Sequence, residues 1–159
     1  MEIFLQISDV FRFAIRIEED SEAFYRKSAI IAKDDGAKTL FNYLADEEMQ
    51  HKKIFQDMLS KKDELMPAET FQGEYLAYLR DHIDNKVIFT KDAKDRQVSD
   101  VHDTLSAINF AMQLELDSIL YYQEIKQFIR QKERAEIDKI IAEERKHFTK
   151  LAETKSNYQ

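Results

Sequence analysis

The sequence predicts an all-α protein, a bundle of four helices arranged as two helical hairpins joined by a long crossover that carries a short helix of its own. Two observations predict it. Two glycines and one proline in 159 residues leave too few turn-formers for a hairpin-connected sheet, whereas long helices need few turns. Four long segments place apolar residues at the three- and four-residue spacing of one helix face. The length suits a single domain over 1–159 with a sizeable core.

The first helix is expected from about Ser8 to Lys33, with Ser8 or Asp9 as N-cap and Phe11, Ala14, Ile15, Glu18, Tyr25 and Ala29 on one stripe. Asp34-Asp35-Gly36 interrupts it, glycine tolerating left-handed geometry and aspartate capping the next helix. The second helix runs from about Ala37 to Lys62, with Phe41, Leu44, Glu48, His51, Phe55 and Met58 facing one way. Residues 63–99 read as the crossover, with Pro67 in the first turn of a helix reaching about His82 and a polar loop from Lys91 to Asp100. The third helix is expected from about Asp100 to Ile129 and the fourth from about Ala135 to Thr154. Between them the polar run Arg130 to Glu136 must turn the chain without glycine or proline. On one unbroken helix Glu115 and Glu144 would lie about 43 Å apart, so the turn is inferred from the chemistry that follows.

A net charge of −7, with both signs interspersed, argues against a nucleic-acid surface. The absence of cysteine excludes disulfides, thiolate metal sites and iron–sulfur clusters within these residues. Nothing resembles a secretory leader, and no apolar run approaches the roughly 20 residues of a bilayer span, so a soluble cytoplasmic protein is expected.

The chain repeats itself at about 97 residues. Ala14-Ile-Arg-Ile-Glu18 through Tyr25 aligns without a gap with Ala111-Met-Gln-Leu-Glu115 through Tyr122, and Glu48-Met-Gln-His51 aligns with Glu144-Arg-Lys-His147. Each half is thus a helix with a mid-stripe glutamate followed by a helix with Glu-x-x-His. A buried carboxylate without a partner is costly, and no Lys or Arg on those stripes stands close by as a counter-ion. In Glu-x-x-His the two side chains share a helix face. Four carboxylates balance two divalent ions and leave imidazole as the neutral ligand, a mixed donor set that suits iron, manganese or zinc. This is the ligand arrangement of di-iron helical bundles.

On these motifs the chain resembles the rubrerythrin-like branch of the ferritin-like superfamily over nearly its whole length. The resemblance implies two iron ions per chain, with Mn or Zn as possible substitutes. The implied ligands are Glu18, Glu48, His51, Glu115, Glu144 and His147. Glu48 and Glu144 would bridge the metals, and Glu18 and Glu115 would be terminal. It further implies an oxidoreductase that reduces peroxide or O2, a homodimer, and a separate electron carrier such as rubredoxin. The carrier must be separate because the cysteine-ligated module of full-length rubrerythrins is missing. A second departure is Ser118, where rubrerythrins carry an extra carboxylate; the six-ligand set is therefore also similar to that of bacterioferritins. The alternative is accordingly an iron-storage subunit with ferroxidase activity. A third reading, an oxygenase, would require an apolar channel for an organic substrate.

Other residues have plainer readings. Glu47 and Glu143 read as solvent-facing helix charges. Tyr25 and Tyr122, seven residues past Glu18 and Glu115, read as hydrogen-bond donors to the ligand carboxylates rather than redox radicals. Met49 reads as a surface or interface residue rather than a haem ligand. His82 and His102 read as exposed, and the remaining aromatics as core.

Overall fold

The computed structural model describes residues 7–61, 77, 78, 81 and 101–158, and among these the only long elements are four helices. They are α1 (Ile7–Ile31), α2 (Asp35–Ser60), α3 (Thr104–Ile125) and α4 (Ala135–Lys155). The expected crossover over 63–99, including His82, lies outside the described residues except at Ala77, Tyr78 and Asp81, which are helical. Among the described residues no helix is long and apolar enough to cross a membrane.

Local chemistry explains where the helices begin. Asp34 caps α2, its Oδ1 accepting from the Ala37 amide at 2.8 Å. Asp103 caps α3 in a capping box with Ser106. Expectation and structure differ at two starts. Ser8 and Asp9 lie inside the first turn of α1 rather than at its cap. Gly36 belongs to the first turn of α2, and no described glycine has positive φ. Its smallness serves the cap instead, since a Cβ there would come 3.2 Å from Asp34 Oδ1. Asp34 Oδ2 also accepts a hydrogen bond from the Tyr158 hydroxyl, tying the end of the chain to this corner.

α3 ends sooner than its apolar pattern suggests, at Ile125, and continues as a 3-10 turn over Lys126–Phe128. A second 3-10 turn, Gln131–Glu133, leads into α4. Arg134 Nε donates to the Ile129 carbonyl at 2.9 Å, closing a reversal that needs no glycine.

Pairings across the bundle fix its topology. Arg26 meets Asp46 at 2.5 Å and Lys126 meets Asp138 at 2.5 Å, so each hairpin is antiparallel. Tyr25 reaches Glu115 and Tyr122 reaches Glu18, so α1 and α3 are antiparallel as well. α2 and α3 therefore run parallel. The end of α2 and the start of α3 therefore lie toward opposite ends of the bundle, about 39 Å apart for a 26-residue helix. Two apolar layers fill the interior. One holds Phe11, Ile17, Phe55, Tyr121 and Tyr122; the other holds Phe24, Tyr25, Phe41, Leu44 and Ile108. Glu18, Glu48, His51, Glu115, Glu144 and His147 are buried as well, but neither apolar layer contains them.

Candidate metal centre

All six of these residues are at most 2 % exposed. All four helices contribute: α1 gives Glu18, α3 gives Glu115, and α2 and α4 each give a glutamate and a histidine one turn apart. The histidines present Nδ1 inward. His51 Nδ1 lies 3.3 Å from Glu48 Oε2, 3.2 Å from Glu144 Oε1 and 3.9 Å from Glu18 Oε1. His147 Nδ1 lies 3.1 Å from Glu144 Oε2, 3.5 Å from Glu48 Oε1 and 3.7 Å from Glu115 Oε1.

Glu48 and Glu144 thus each turn one oxygen toward either histidine, while Glu18 and Glu115 each serve one side. Two groups of donor atoms result, Glu18/Glu48/His51/Glu144 and Glu48/Glu115/Glu144/His147, each gathered within 4.8 Å. Both share the same two carboxylates. The donor set fits a pair of metal ions. Glu18 Oε2, His51 Nδ1 and Glu144 Oε1 are buried with no hydrogen-bond partner, a costly condition that coordination would relieve.

The electrostatics point the same way. Burial, then the Glu48 carboxylate, raises the pKa of Glu18 well above its ordinary value. Burial, then Glu144 and Glu48, does the same to Glu115. Burial and Glu144 also push Glu48 upward, but the close approach of Glu18, His147 and His51 outweighs them and leaves it lowered. Glu144 is lowered too: against burial, the hydrogen bond with His147 and then the nearby His51 ring favour its carboxylate. Burial disfavours the His51 cation, yet Glu144 and Glu48 push that ring up to about 11. His147 is raised likewise, Glu115 and Glu144 outweighing burial. Glu18, Glu115 and both imidazoles thus hold protons more tightly than free groups would, in the place where cations would sit.

The surrounding contacts are crosswise. Tyr25 donates to Glu115 Oε1 and Tyr122 to Glu18 Oε1, each hydroxyl reaching from one hairpin to the carboxylate of the other. Burial, then the charge of the carboxylate it meets, raises both phenols and keeps them protonated as donors.

One expectation is corrected. Glu143 is not a free surface charge: its Oε2 lies 2.9 Å from His51 Nε2. Glu47 stands toward His147 on the other side, but at 3.9 Å from Nε2, beyond hydrogen-bond reach. Each glutamate faces the outer nitrogen of the opposite histidine, where it favours a ring with Nδ1 turned inward. The signal was in the sequence, since the pair Glu-Glu recurs in register at 47–48 and 143–144. Met49 is half-buried and His102 is exposed, 3.8 Å from Asp103.

Comparison with known proteins agrees with this centre. A family model described as Rubrerythrin matches residues 9–155. The fold is similar to the crystal structure of a candidate ferritin-like diiron-carboxylate protein from Thermotoga maritima. The two chains share 27 % identity at a TM-score of 0.68, and the match covers 100 % of each. Among curated proteins there is no match.

Proposed function

The chain belongs to the rubrerythrin family, and we propose that it is a di-iron oxidoreductase that reduces peroxide or O2. One observation carries the reading: Glu48 and Glu144 each address both histidines, as ligands bridging two ions would. Glu18 and His51 complete one position, and Glu115 and His147 the other.

Bound iron would supply two electrons, one from each Fe²⁺, which with two protons from solvent is what reduction of one hydrogen peroxide to two waters consumes. The chain's own residues prepare for this. Tyr25 and Tyr122 hold the terminal carboxylates through their hydroxyls, fixing orientation and drawing off charge. Glu143 holds the outer nitrogen of His51. The apolar layers on either side exclude water, so charges within the centre interact strongly. With no cysteine in the chain, electrons for a second turnover would come from a separate carrier such as rubredoxin.

The test is metal analysis followed by anaerobic mixing of the reduced protein with peroxide or with O2. Oxidation by peroxide at least as fast as by O2, with two irons per chain, is expected. Rapid O2 turnover with mineral accumulating inside a large particle would replace this reading with iron storage.

A further inference from the structure

Resting on the di-metal reading above, we propose that metal ions enter and leave through a cleft between α2 and α4, and that only the Glu18/His51 position exchanges freely by this route. The Glu115/His147 position is closed by a lid of Tyr43 and Lys150. The two positions, nearly equivalent in their ligands, would then differ in access.

The cleft has a volume of about 850 Å³ and reaches inward to His51 and Glu143. It lies where α2 and α4 run side by side, and of the four adjacent helix pairs these two approach least closely. Its floor is the 2.9 Å contact between His51 Nε2 and Glu143, and Glu143 is 26 % exposed, so its side chain has room to swing outward. Glu47, Asp57, Glu133 and Glu136 line the walls with Lys53, Lys61 and Lys139. Carboxylates outnumber lysines around the cleft, which favours a cation over an anion. Behind the floor stand His51 Nδ1 and Glu144 Oε1, both buried and lacking hydrogen-bond partners.

The internal repeat shows why the other side differs. With Glu48 equivalent to Glu144 and His51 to His147, Tyr43 corresponds to Lys139 and Ile54 to Lys150. On the His147 side the Tyr43 ring stands edge-on to the imidazole, centroids 6.3 Å apart. Lys150 Nζ sits over that tyrosine, 4.1 Å from its centroid, a cation–π contact that pins the ring. On the His51 side the same two positions, Lys139 and Ile54, instead line the open cleft. Leu40, half-buried against the core, likewise corresponds to Glu136 on the cleft wall. Each element of the lid on one side is therefore replaced by a channel wall on the other.

The test uses the full chain loaded with Co²⁺, whose visible absorption reports each bound ion, and excess EDTA. Release should occur in two phases of equal amplitude, separated by roughly tenfold in rate. Crystals soaked briefly in EDTA should keep anomalous density at Glu115/His147 and lose it at Glu18/His51. Glu143→Gln should speed the fast phase alone. Tyr43→Ala with Lys150→Ala should speed the slow phase alone, and Lys139→Tyr with Ile54→Lys should slow the fast one. Two ions leaving in a single phase, or density lost first from Glu115/His147, would overturn the route while leaving the di-metal reading intact. Uptake of fewer than two ions per chain would instead defeat the di-metal reading. Circular dichroism of each variant separates a lid effect from misfolding, and the wild-type phases decide the matter without any variant.

Discussion

Four carboxylates in one buried layer must be neutralised, and protons do this in the absence of metal. Burial pushes Glu18 and Glu115 toward their protonated forms, while Glu144 and Glu48 favour the His51 cation and Glu115 and Glu144 favour that of His147. Two divalent ions must displace these protons, so loading near neutral pH should release up to about four per chain. Affinity should rise with pH, because every proton lost from the centre removes a competitor. Titration with Co²⁺ in a weakly buffered indicator measures both, and loading without proton release would contradict the assignment. The bridges give a second prediction: Glu48→Ala or Glu144→Ala should cost both ions, Glu18→Ala chiefly one. Full occupancy in a bridge variant would refute their shared role. Ser118 gives a third. It is buried at 4 %, as is Ser21 at the equivalent position of α1, so neither side of the centre has a spare carboxylate there. Both histidines should remain bound in oxidised and reduced crystals, and a metal that trades His51 for another ligand would show otherwise.

At the scale of elements, the corner between α1 and α2 concentrates several links on one side chain. Asp34 caps Ala37 and accepts from Tyr158, which follows α4. Asp34→Ala should cost about 1 kcal/mol from the cap alone, with a further loss from the freed chain end, in urea unfolding of the metal-free protein. Asp34→Asn should recover much of the cap. Equal destabilisation by both substitutions would place the effect in charge rather than in hydrogen bonding. Helix interiors were legible because Phe41, Leu44, Glu48, His51, Phe55 and Met58 repeat at helical spacing, and all are buried. The ends were less so. The apolar run of α3 continues past its last helical residue to Ile129, which is buried though extended in backbone. Periodicity registers that burial and misses the change of backbone.

For the whole molecule, the expected homodimer and separate carrier remain proposals with direct tests. Leu116 and Leu120 stand 42 % and 57 % exposed on the outer side of α3, an apolar surface that a second copy would cover. Sedimentation should give a dimer mass; a large hollow particle would favour storage. Multiple turnover should require an added electron carrier. Sustained oxidation of a nicotinamide by the pure protein and peroxide alone would contradict that.

The sequence by itself determined the all-α class, the two-hairpin plan and the six buried polar positions, because helical periodicity and a repeated motif are linear properties of a chain. It also carried the doubled glutamates at 47–48 and 143–144, whose role was invisible without partners. Tertiary structure alone decided the crosswise links, Tyr25 to Glu115, Tyr122 to Glu18 and Glu143 to His51, which join residues 90 or more positions apart. It alone also placed a cleft beside His51 and Glu143, and the Tyr43 ring with Lys150 beside His147. A repeat makes two half-sites alike in their ligands, but access depends on which side chains cross the gap between helices, and that is settled only when α2 and α4 lie side by side.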